Sequence, residues 1–325
     1  MDFHLEFTPR PFSVAIQHQQ RLMLIGSCFT ENIGGKLKQY KFDVLENPHG
    51  ILFNPVSLAQ SVHAYVVNKQ YSEAELFYQN ESWNSWDHHS RFSHPDKEVC
   101  LQGINNSQQR AHDFLLMADW LFITVGSAFV YELESKTVVA NCHKVPTDKF
   151  NKRLLSIYEV STAFNDMLAA LQQVNPNLKI IFTISPVRHL RDGFVENNRS
   201  KSTLIQAVHA LTDTRDNLFY FPAYELVIDD LRDYRFYAED MVHPNYAATN
   251  YVWEKFISTC IDEGSQKLMK EINVINAARN HKPFNASSEQ HKKFLQTNLE
   301  RINQLNRQYA YINFEEEKIY FNAGV

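Results

Sequence analysis

The sequence predicts an α/β fold: a doubly wound, mostly parallel sheet covered by helices on both faces, in three layers, over roughly residues 15–262. Three observations predict it. Short runs of consecutive apolar residues alternate along the chain with longer segments of helical periodicity. Uninterrupted apolar runs are typical of parallel strands buried on both faces. Gly26, Gly126 and Ser185 each directly follow such a run, so the loops that carry ligand sites in this fold should share one edge.

The predicted elements follow one another in this alternating order. The strands are "LMLIG" (22–26), "DWLFITVG" (119–126), "LKIIFTISP" (178–186) and "NLFYFPA" (217–223). The helices are "ENIGGKLKQY", "SLAQSVHAYVVN", "NNSQQRAHDFLLMA", a long amphipathic helix stopped at Pro176, one around 199–213, and a final helix from about 245. "FVYELESKTVVANCHKVP" reads as a hairpin, because two runs of β-formers flank "ESK". Residues 71–104 read as an irregular aromatic insertion at the rim of the domain.

Residues 263–325 form a predicted C-terminal extension. It contains a polar helix, "SSEQHKKFLQTNLERINQLNRQ", followed by "INFEEEKIYFNAGV", which is predicted to be a terminal hairpin or strand.

Composition narrows the functional classes. The 325-residue chain carries a net charge of −5 and has no long basic run, so neither nucleic acid nor an anionic membrane is an expected partner. The start, "MDFHLEFTPRPF", has no apolar signal core, and no segment is apolar enough to span a bilayer. We therefore expect a cytoplasmic protein. The four cysteines form no CxxC pair, so no disulfide framework or zinc knuckle is indicated.

The stretch "LIGSCFTEN" places two candidate nucleophiles, Ser27 and Cys28, between a strand and a helix. A strand–turn–helix lifts a nucleophile clear of the sheet and aims backbone N–H groups at a developing oxyanion. The alternative is a tight turn with a capping serine and a buried structural thiol.

A second stretch, "AEDMVHPNYAATNYVWEKF", puts Asp240 three residues before His243, just ahead of a helix. A nucleophile needs a base, and a carboxylate fixes the tautomer of that base. One loop supplies both groups. The alternative is a helix-capping aspartate beside a surface histidine.

Several segments together resemble the GSCFA family, which is grouped with the SGNH (GDSL-like) hydrolases. The resemblance runs over about residues 20–260 and is carried by "GSCF", "NCHKVP", "SPVRHLRDG", "FPAYELVIDDLRDYRFYAEDMVHPN" and "VWEKF". It implies a three-layer α/β/α fold and a site of the Ser-His-Asp type, formed here by Asp240, His243 and a nucleophile. Thr30 departs from the alanine in the family name.

The SGNH pattern also ranks the two nucleophiles. Its first block reads Gly-Asp-Ser-x-Thr, and an ungapped match to "GSCFTE" puts Cys28 at the nucleophile position and Thr30 on the threonine. Cys28 is therefore preferred. A match that puts Ser27 at the nucleophile position requires the alignment to shift by one residue.

The resemblance implies oxyanion donors as well. Gly126 matches the glycine of the SGNH Gly-x-Asn-Asp block, but Ala128 occupies the asparagine position. Asn141 is a candidate replacement, or else an ordinary asparagine at a strand end. Gly50 is a candidate for the second-block glycine, or else a plain turn residue.

Further binding residues are expected around the same rim. Arg188 and His189 follow a strand and are candidates for holding an anionic or sugar group, or else they belong to a salt-bridged loop. His89 and His143 are candidate pocket residues. A metal at the histidine-rich segment "WDHHSRFSH" with Cys142 and His143 matches no standard ligand set, so neither a metal nor a cofactor is predicted.

Two functions compete at this point. The first is a hydrolase or acyltransferase that acts on an ester or thioester, with a small-molecule or carbohydrate acyl ester as substrate, through a covalent acyl-enzyme. The second is a binding module that keeps the cleft but has lost turnover, as Ala128 suggests.

Overall fold

The computed structural model describes residues 4–323. The strands are β1 (Arg21–Gly26), β2 (Asp43–Glu46), β3 (Leu76–Gln79), β4 (Ser82–Ser85), β5 (Trp120–Val125), β6 (Phe129–Glu132), β7 (Val138–Val139), β8 (Asn151–Leu154), β9 (Lys179–Ile184) and β10 (Leu218–Tyr220). The helices are α1 (Cys28–Gln39), α2 (Pro55–Val66), α3 (Lys97–Leu115), α4 (Ile157–Val174), α5 (Phe194–Thr212), α6 (Ala223–Glu225, continued by a π-helical turn over Leu226–Leu231), α7 (Tyr246–Cys260), α8 (Glu263–Asn280), α9 (Glu289–Gln308) and α10 (Glu315–Asn322).

The central sheet has five parallel strands in the order β2–β1–β5–β9–β10. The order reverses between β1 and β5, because the chain builds outward from β1 first on one side and then on the other. This is the doubly wound topology that the apolar runs predict, and the prediction is confirmed.

Alternate residues of each strand supply two cores. Met23 and Ile25 pack with α2, α3, α4 and α5 on one face of the sheet. Leu22 and Leu24 pack with α1 and α7 on the other face. Both faces are therefore covered, which explains why the strands are apolar throughout rather than alternating.

Two small antiparallel sheets lie outside the main sheet. β6 pairs with β7 and with β8, which confirms the predicted hairpin after β5. The prediction of an irregular 71–104 segment is partly wrong, because β3 and β4 pair there and α3 already begins at Lys97. Asp96 caps α3 by accepting the N–H groups of Glu98 and Val99 at 2.8 and 3.1 Å, and this cap fixes the early start.

The C-terminal extension is helical. Helices α8, α9 and α10 surround a third core that includes Ile302, Phe314 and Phe321. The predicted terminal hairpin or strand is wrong, since Glu315–Asn322 forms α10. Three glutamates in its first turn favour a helix N-terminus. Residues 324 and 325, which end that stretch, lie outside the described residues.

The division of the chain between residues 262 and 263 stays a prediction. Within residues 4–323, none of the helices combines the length and apolar character that crossing a bilayer requires.

Candidate functional site

The candidate site lies at the carboxyl edge of the sheet, where the strand order reverses. Gly26 pairs in register with Thr124 at the end of β1 and β5, and the N–H of Ser185 donates to the Val125 carbonyl at 2.8 Å. The residues that follow β1, β5 and β9 therefore meet at one rim, as predicted. Ligands of doubly wound folds bind at this reversal of strand order.

Gly26 sets how closely β1 approaches β5. Its φ is +139°, and a Cβ there would overlap the carbonyl oxygen of Thr124 and lie 2.8 Å from the Thr124 nitrogen. A glycine is therefore required at this turn. The N–H of the next residue, Ser27, donates to the same Thr124 carbonyl at 3.3 Å.

Ser27 and Cys28 have different environments. Ser27 is 3% exposed and is the N-cap of α1, because its hydroxyl accepts the Phe29 N–H at 3.3 Å. Cys28 is the first residue of α1, is partly exposed and forms no disulfide. Its thiol is thus the more accessible of the two candidate nucleophiles.

Several groups act on the Cys28 thiol. Burial raises its pKa. The backbone N–H groups of Phe29 and of Cys28 itself act in the opposite direction and lower the pKa. The charge of Glu31 raises this pKa and that of Lys201 lowers it. Because the N–H groups at the start of α1 face the sulfur, they stabilise negative charge there.

Asp240 and His243 form a hydrogen-bonded pair. The Asp240 carboxylate lies 2.6 Å from His243 Nδ1 and also accepts the backbone N–H groups of Val242 and His243 at 2.9 and 3.0 Å. These backbone bonds, followed by the bond to the imidazole, lower the pKa of Asp240 to about 2. The carboxylate holds the Nδ1 proton, so Nε2 is the nitrogen left to accept another.

The remaining contact of a catalytic triad is not formed. Among residues 4–323, no hydrogen bond joins His243 to Ser27 or Cys28, and the side chains of His243 and Asp240 are each 49% exposed. The loop that carries them is tied to the rim, because the Arg188 N–H donates to the Val242 carbonyl at 3.1 Å. The nucleophile–imidazole contact therefore stays a prediction.

The N–H groups of two expected oxyanion donors are bonded within the fold, and their role at the site stays a prediction. The N–H of Gly50 donates to the Asn47 carbonyl at 2.7 Å, and the N–H of Gly126 donates to the Phe53 carbonyl at 2.8 Å. Neither N–H can donate to a substrate oxygen without losing its present hydrogen bond to a loop carbonyl.

At the start of α1, the N–H groups of Ser27, Phe29 and Thr30 are also bonded within the fold. The N–H of Cys28 itself is therefore the donor left without a partner there among residues 4–323.

The position of Ala128 differs from the expectation based on the family pattern. Ala128 is fully buried and belongs to the core formed with α2–α5. Its N–H donates to the Ser200 hydroxyl at 2.8 Å. An asparagine side chain at this position would enter the core rather than the rim. Asn141 does border the rim cavity, but its Oδ1 accepts the His143 N–H at 2.8 Å.

His89 and His143 lie apart from Cys28's immediate contacts. His89 packs against Gly50, and its Nδ1 accepts the Arg91 N–H at 3.2 Å. His143 is turned away into the aromatic insertion, where its Nε2 lies 2.8 Å from the Ser85 carbonyl and its ring packs edge-on against Phe77. His143 does not line the cavity beside Arg188, and a binding role for it stays a prediction. In the part of the chain that the structure describes, no group of three His, Cys, Asp or Glu side chains is placed to hold a metal ion.

A cavity of about 490 Å³ opens beside the rim. Its wall carries three cations and one carboxylate: Lys152, Arg188, Arg191 and Asp192. Asp192 is paired with Lys152, which leaves the two guanidinium groups in excess. Phe53, Phe129 and Tyr131 supply aromatic surface.

Two predicted residues, Arg188 and His189, line this cavity. Arg188 Nη1 and His189 Nε2 are buried atoms with no hydrogen-bond partner among residues 4–323. Burial, followed by the charges of Lys201 and His243, lowers the pKa of His189 to about 3. His189 is therefore neutral near pH 7. The Arg188 guanidinium packs against the rings of Tyr237 and Tyr234 at 4.1 and 5.0 Å and is one of the charged groups of the cavity wall.

Sequence reasoning missed Lys201. It lies in α5, is 1% exposed, and donates from Nζ to the carbonyls of Gly126 and Ser185, both at 2.6 Å. A signal was present, because Lys201 stands three residues before Leu204 and four before Ile205, at the spacing of a buried helical stripe. The polar neighbours of Lys201 in "ENNRSKS" obscured this spacing.

The fold and the rim define a doubly wound α/β protein with a cysteine at a strand–turn–helix and a bonded Asp–His pair on the same edge. The chain belongs to the GSCFA family, which it matches over residues 21–256, and residues 272–325 match the C-terminal domain of GSCFA domain proteins. The resemblance seen in the sequence is confirmed.

Other comparisons reach only distant proteins. No curated protein matches the chain. Among solved structures, it is similar to a carbohydrate esterase family 3 protein from Talaromyces cellulolyticus, with 10% identity, 79% of this chain and 99% of that chain covered, and a TM-score of 0.38. It is also similar to a mutant acetyl esterase with acetate ion, with 10% identity, 79% and 100% coverage, and a TM-score of 0.38.

Proposed function

We propose that this protein is a hydrolase or acyltransferase that acts on an ester or thioester through a covalent acyl-enzyme on Cys28. The observation that carries the proposal is the 2.6 Å bond between Asp240 and His243. It belongs to a loop tied to the same rim as the exposed face of Cys28. A fixed imidazole tautomer and a thiol at a helix start are the parts that acyl transfer needs.

The two half-reactions use these parts in turn. The Cys28 sulfur bonds to the carbonyl carbon as the thiol proton is removed, and the alcohol or thiol departs with a proton. Water or another acceptor then gives up a proton as it attacks the thioester carbon, the C–S bond breaks, and the proton returns to the Cys28 sulfur. His243 Nε2 is placed to accept a proton because Asp240 holds Nδ1–H. The charge on the carbonyl oxygen is met by the N–H of Cys28 at the start of α1.

Cys28 is favoured over Ser27 on structural grounds. The Ser27 hydroxyl is buried and accepts a capping bond, so attack by Ser27 would cost α1 its cap, about 1 kcal/mol. Cys28 makes no such contribution and reaches the surface.

The cavity beside the rim supports an acyl ester that carries an anionic or sugar group. Arg188 offers an unpartnered guanidinium N–H within the cavity wall, and guanidinium groups favour carboxylate and phosphate. The aromatic side chains of Phe53, Phe129 and Tyr131 suit the apolar face of a sugar or an acyl chain.

The second candidate function is a binding module without turnover. The observation in its favour is that the N–H groups of Gly50 and Gly126 are both used by loop carbonyls. Such a site would hold the ester in the cavity but stabilise its oxyanion poorly.

Covalent labelling, combined with a turnover assay, distinguishes the hydrolase or acyltransferase from the binding module. The protein is treated in parallel with iodoacetamide and with a fluorophosphonate, the adducts are mapped by mass spectrometry, and turnover of 4-nitrophenyl acetate is measured. We expect iodoacetamide on Cys28, loss of turnover in Cys28→Ala, and partial loss in Ser27→Ala. A fluorophosphonate adduct on Ser27 would reverse the assignment.

His243→Ala should also abolish turnover. His209→Ala is its matched control, because His209 faces Asp213 at 3.9 Å in the last turn of α5 and has no part in the site. Binding of anionic esters without turnover in the wild-type protein would favour the binding module.

A further inference from the structure

A second cavity, which we call the α2–α4 groove, lies between α2 and α4. Its volume is about 520 Å³, within the range of roughly 300–1,000 Å³ that is usual for small-molecule sites. Its lining follows α2 from Val56 to the C-cap residue Val67, a rise of roughly 16 Å. On the other side it is lined by Ala163, Met167 and Ala170, whose spacing puts them on one face of α4. The groove is therefore an elongated space between two helices.

The floor of the α2–α4 groove is apolar. Ala59, Ala64 and Met167 are buried there, and Ala140, which follows β7, is 7% exposed. Alanine side chains are small and methionine side chains are flexible. The floor thus leaves room for a ligand without offering it a hydrogen bond.

The buried polar side chains of the lining are engaged within the fold. Both ring nitrogens of His49 lie close to tyrosine hydroxyls, Nδ1 at 2.7 Å from Tyr65 and Nε2 at 3.1 Å from Tyr71. Burial lowers the pKa of His49 to about 3, so the ring is neutral near pH 7. The Ser61 hydroxyl donates to the Leu58 carbonyl at 2.8 Å.

The charged end of the lining is also paired. Lys69 lies 2.9 Å from Glu75 and 3.3 Å from Asp87, and Ser57 Oγ accepts the Asn54 amide at 2.9 Å. Among residues 4–323, no buried polar side-chain atom of the lining lacks a partner. The other polar side chains of the lining are exposed to solvent: Gln60, His63, Thr137 and Asp166. A polar ligand would lose its hydrogen bonds to water in the buried part of the groove, whereas a hydrocarbon chain would lose none.

The neighbouring rim cavity has the opposite character. Two of its buried polar atoms, Arg188 Nη1 and His189 Nε2, have no partner among residues 4–323. Arg191 adds a second guanidinium group to the same wall. An unpaired buried polar atom costs free energy that a hydrogen bond to a ligand recovers. The rim cavity therefore suits the polar end of a molecule and the α2–α4 groove suits its apolar end.

The two cavities adjoin each other in two places. Ala140 lines both of them, and its N–H donates to the Trp86 carbonyl at 2.7 Å. At the start of α2, Phe53 lines the rim cavity and Val56 lines the groove. A chain that passes from one cavity to the other therefore crosses the methyl group of Ala140 and meets no free amide of that residue.

We propose that the substrate is the ester of a medium-length acyl chain, with the chain in the α2–α4 groove and the polar end that carries the ester in the rim cavity. Val242, which precedes His243, also lines the rim cavity, so the ester end lies next to the Asp240–His243 loop. The inference rests on the proposed function for the ester, but binding of the chain does not require Cys28. Each methylene that enters the groove should tighten binding about fourfold.

The first test measures binding of decanoate and butyrate by isothermal titration calorimetry. Both carry a carboxylate, but only decanoate has a chain that reaches into the groove. We expect decanoate to bind at least about 10²-fold more tightly than butyrate, with a negative heat-capacity change.

The variants for this test fill the groove. Ala163→Phe places a ring in the lining and should weaken decanoate binding about tenfold or more, as roughly two or more methylenes are displaced. Ala170→Phe carries the test if that variant unfolds. The matched control is Ala169→Phe, because Ala169 lies on α4 outside the lining of the groove, and it should keep the wild-type affinity. Decanoate affinity equal to that of butyrate, or wild-type decanoate affinity in a folded groove-filling variant, would overturn the proposal.

The second test connects the groove to turnover. We expect kcat/KM for 4-nitrophenyl esters to rise from acetate through butyrate to octanoate, on the order of 10²-fold over the last step. Ala163→Phe should lower the ratio of octanoate to acetate turnover, and Ala169→Phe should not. A series that peaks at acetate, as an enzyme for acetylated sugars would give, would overturn the proposal.

The two tests separate the groove from the proposed function. If decanoate binding depends on Ala163 but no ester is turned over, the proposed function fails while the assignment of the groove stands. If acetate is turned over through Cys28 but chain length and the groove-filling variants change nothing, the assignment of the groove fails while the proposed function stands.

Discussion

Replacing Gly26 with alanine should damage the fold and the site together. The residue ends β1 with φ +139°, and an added Cβ would overlap the Thr124 carbonyl oxygen and lie 2.8 and 2.9 Å from the Thr124 nitrogen and carbonyl carbon. These are backbone atoms of the neighbouring central strand, so they cannot rotate away as a side chain would.

The magnitude follows from two costs. Holding a non-glycine residue at such a φ costs about 1–3 kcal/mol, and forcing apart the tightly packed strands costs about 1–3 kcal/mol more. We therefore expect Gly26→Ala to lower the free energy of unfolding by roughly 2–6 kcal/mol. Because Ser27 and Cys28 follow directly, the start of α1 should shift as well.

The assay is urea unfolding followed by tryptophan fluorescence, since Trp120 is fully buried in β5 beside β1. Cys28 alkylation by iodoacetamide reports the site in the same samples. Gly35→Ala is the matched control within α1, because a Cβ there meets nothing within 4 Å. It should stabilise the protein by about 0.5–1 kcal/mol.

The comparison between the two alanines is decisive. A loss below about 1 kcal/mol in Gly26→Ala, together with unchanged Cys28 alkylation, would refute the idea that the β1–β5 approach positions the turn.

Four further outcomes are expected. Asp240→Asn should lower turnover by roughly 10²–10⁴-fold, since the carboxylate no longer fixes the imidazole; unchanged turnover would exclude His243 as an acid–base group. The folded-state pKa of Asp240 is about 2, below its usual value of about 3.9. The ionised Asp240 carboxylate therefore stabilises the folded state fully above pH 4, and this contribution is lost only as the pH falls toward 2. A carboxyl titration by NMR with a midpoint near 4 would contradict this. Arg188→Leu should raise KM for a 4-nitrophenyl ester with a terminal carboxylate about tenfold, but should spare the matched neutral ester. Glu317→Ala should lower the free energy of unfolding by about 3 kcal/mol, because it leaves Lys41 without the buried carboxylate that lies 2.8 Å away. A change under about 1 kcal/mol in urea unfolding would count against this prediction.

The sheet could be predicted from the sequence because its strands carry their own signal. "LMLIG", "LFITV" and "KIIFTI" are apolar at every position or nearly so, and both faces of each are indeed buried. Their parallel register then fixes which loops share the rim. Ser27 and Cys28 are predicted from the strand–turn–helix that follows "LMLIG", and Asp240 and His243 from the Asp-x-x-His spacing ahead of a helix.

The hydrogen bonds of the rim could not be predicted in the same way. Whether the N–H groups of Gly50 and Gly126 are free depends on carbonyls supplied by Asn47 and Phe53, and no periodicity reports such loop contacts. The C-terminal error has a similar origin. The prediction of a hairpin or strand for "INFEEEKIYFNAGV" is wrong because the packing of Phe321 in the third core and the glutamates at the helix start favour α10.

The first half of α5 organises the rim through three buried polar side chains. Asn197 accepts the His189 N–H at 2.9 Å, Ser200 accepts the Ala128 N–H at 2.8 Å, and Lys201 holds the carbonyls after β5 and β9. These three side chains recur at helical spacing on one buried face. Because Ala128 is locked to Ser200 and enclosed in the core, the asparagine of the SGNH pattern has no route from that position to the substrate. Lys201 Nζ ties the ends of β5 and β9 together through the Gly126 and Ser185 carbonyls. The departure at Ala128 and the buried lysine are therefore two parts of one arrangement, in which α5 fixes the backbone after β5 and after β9 through side chains that face the core.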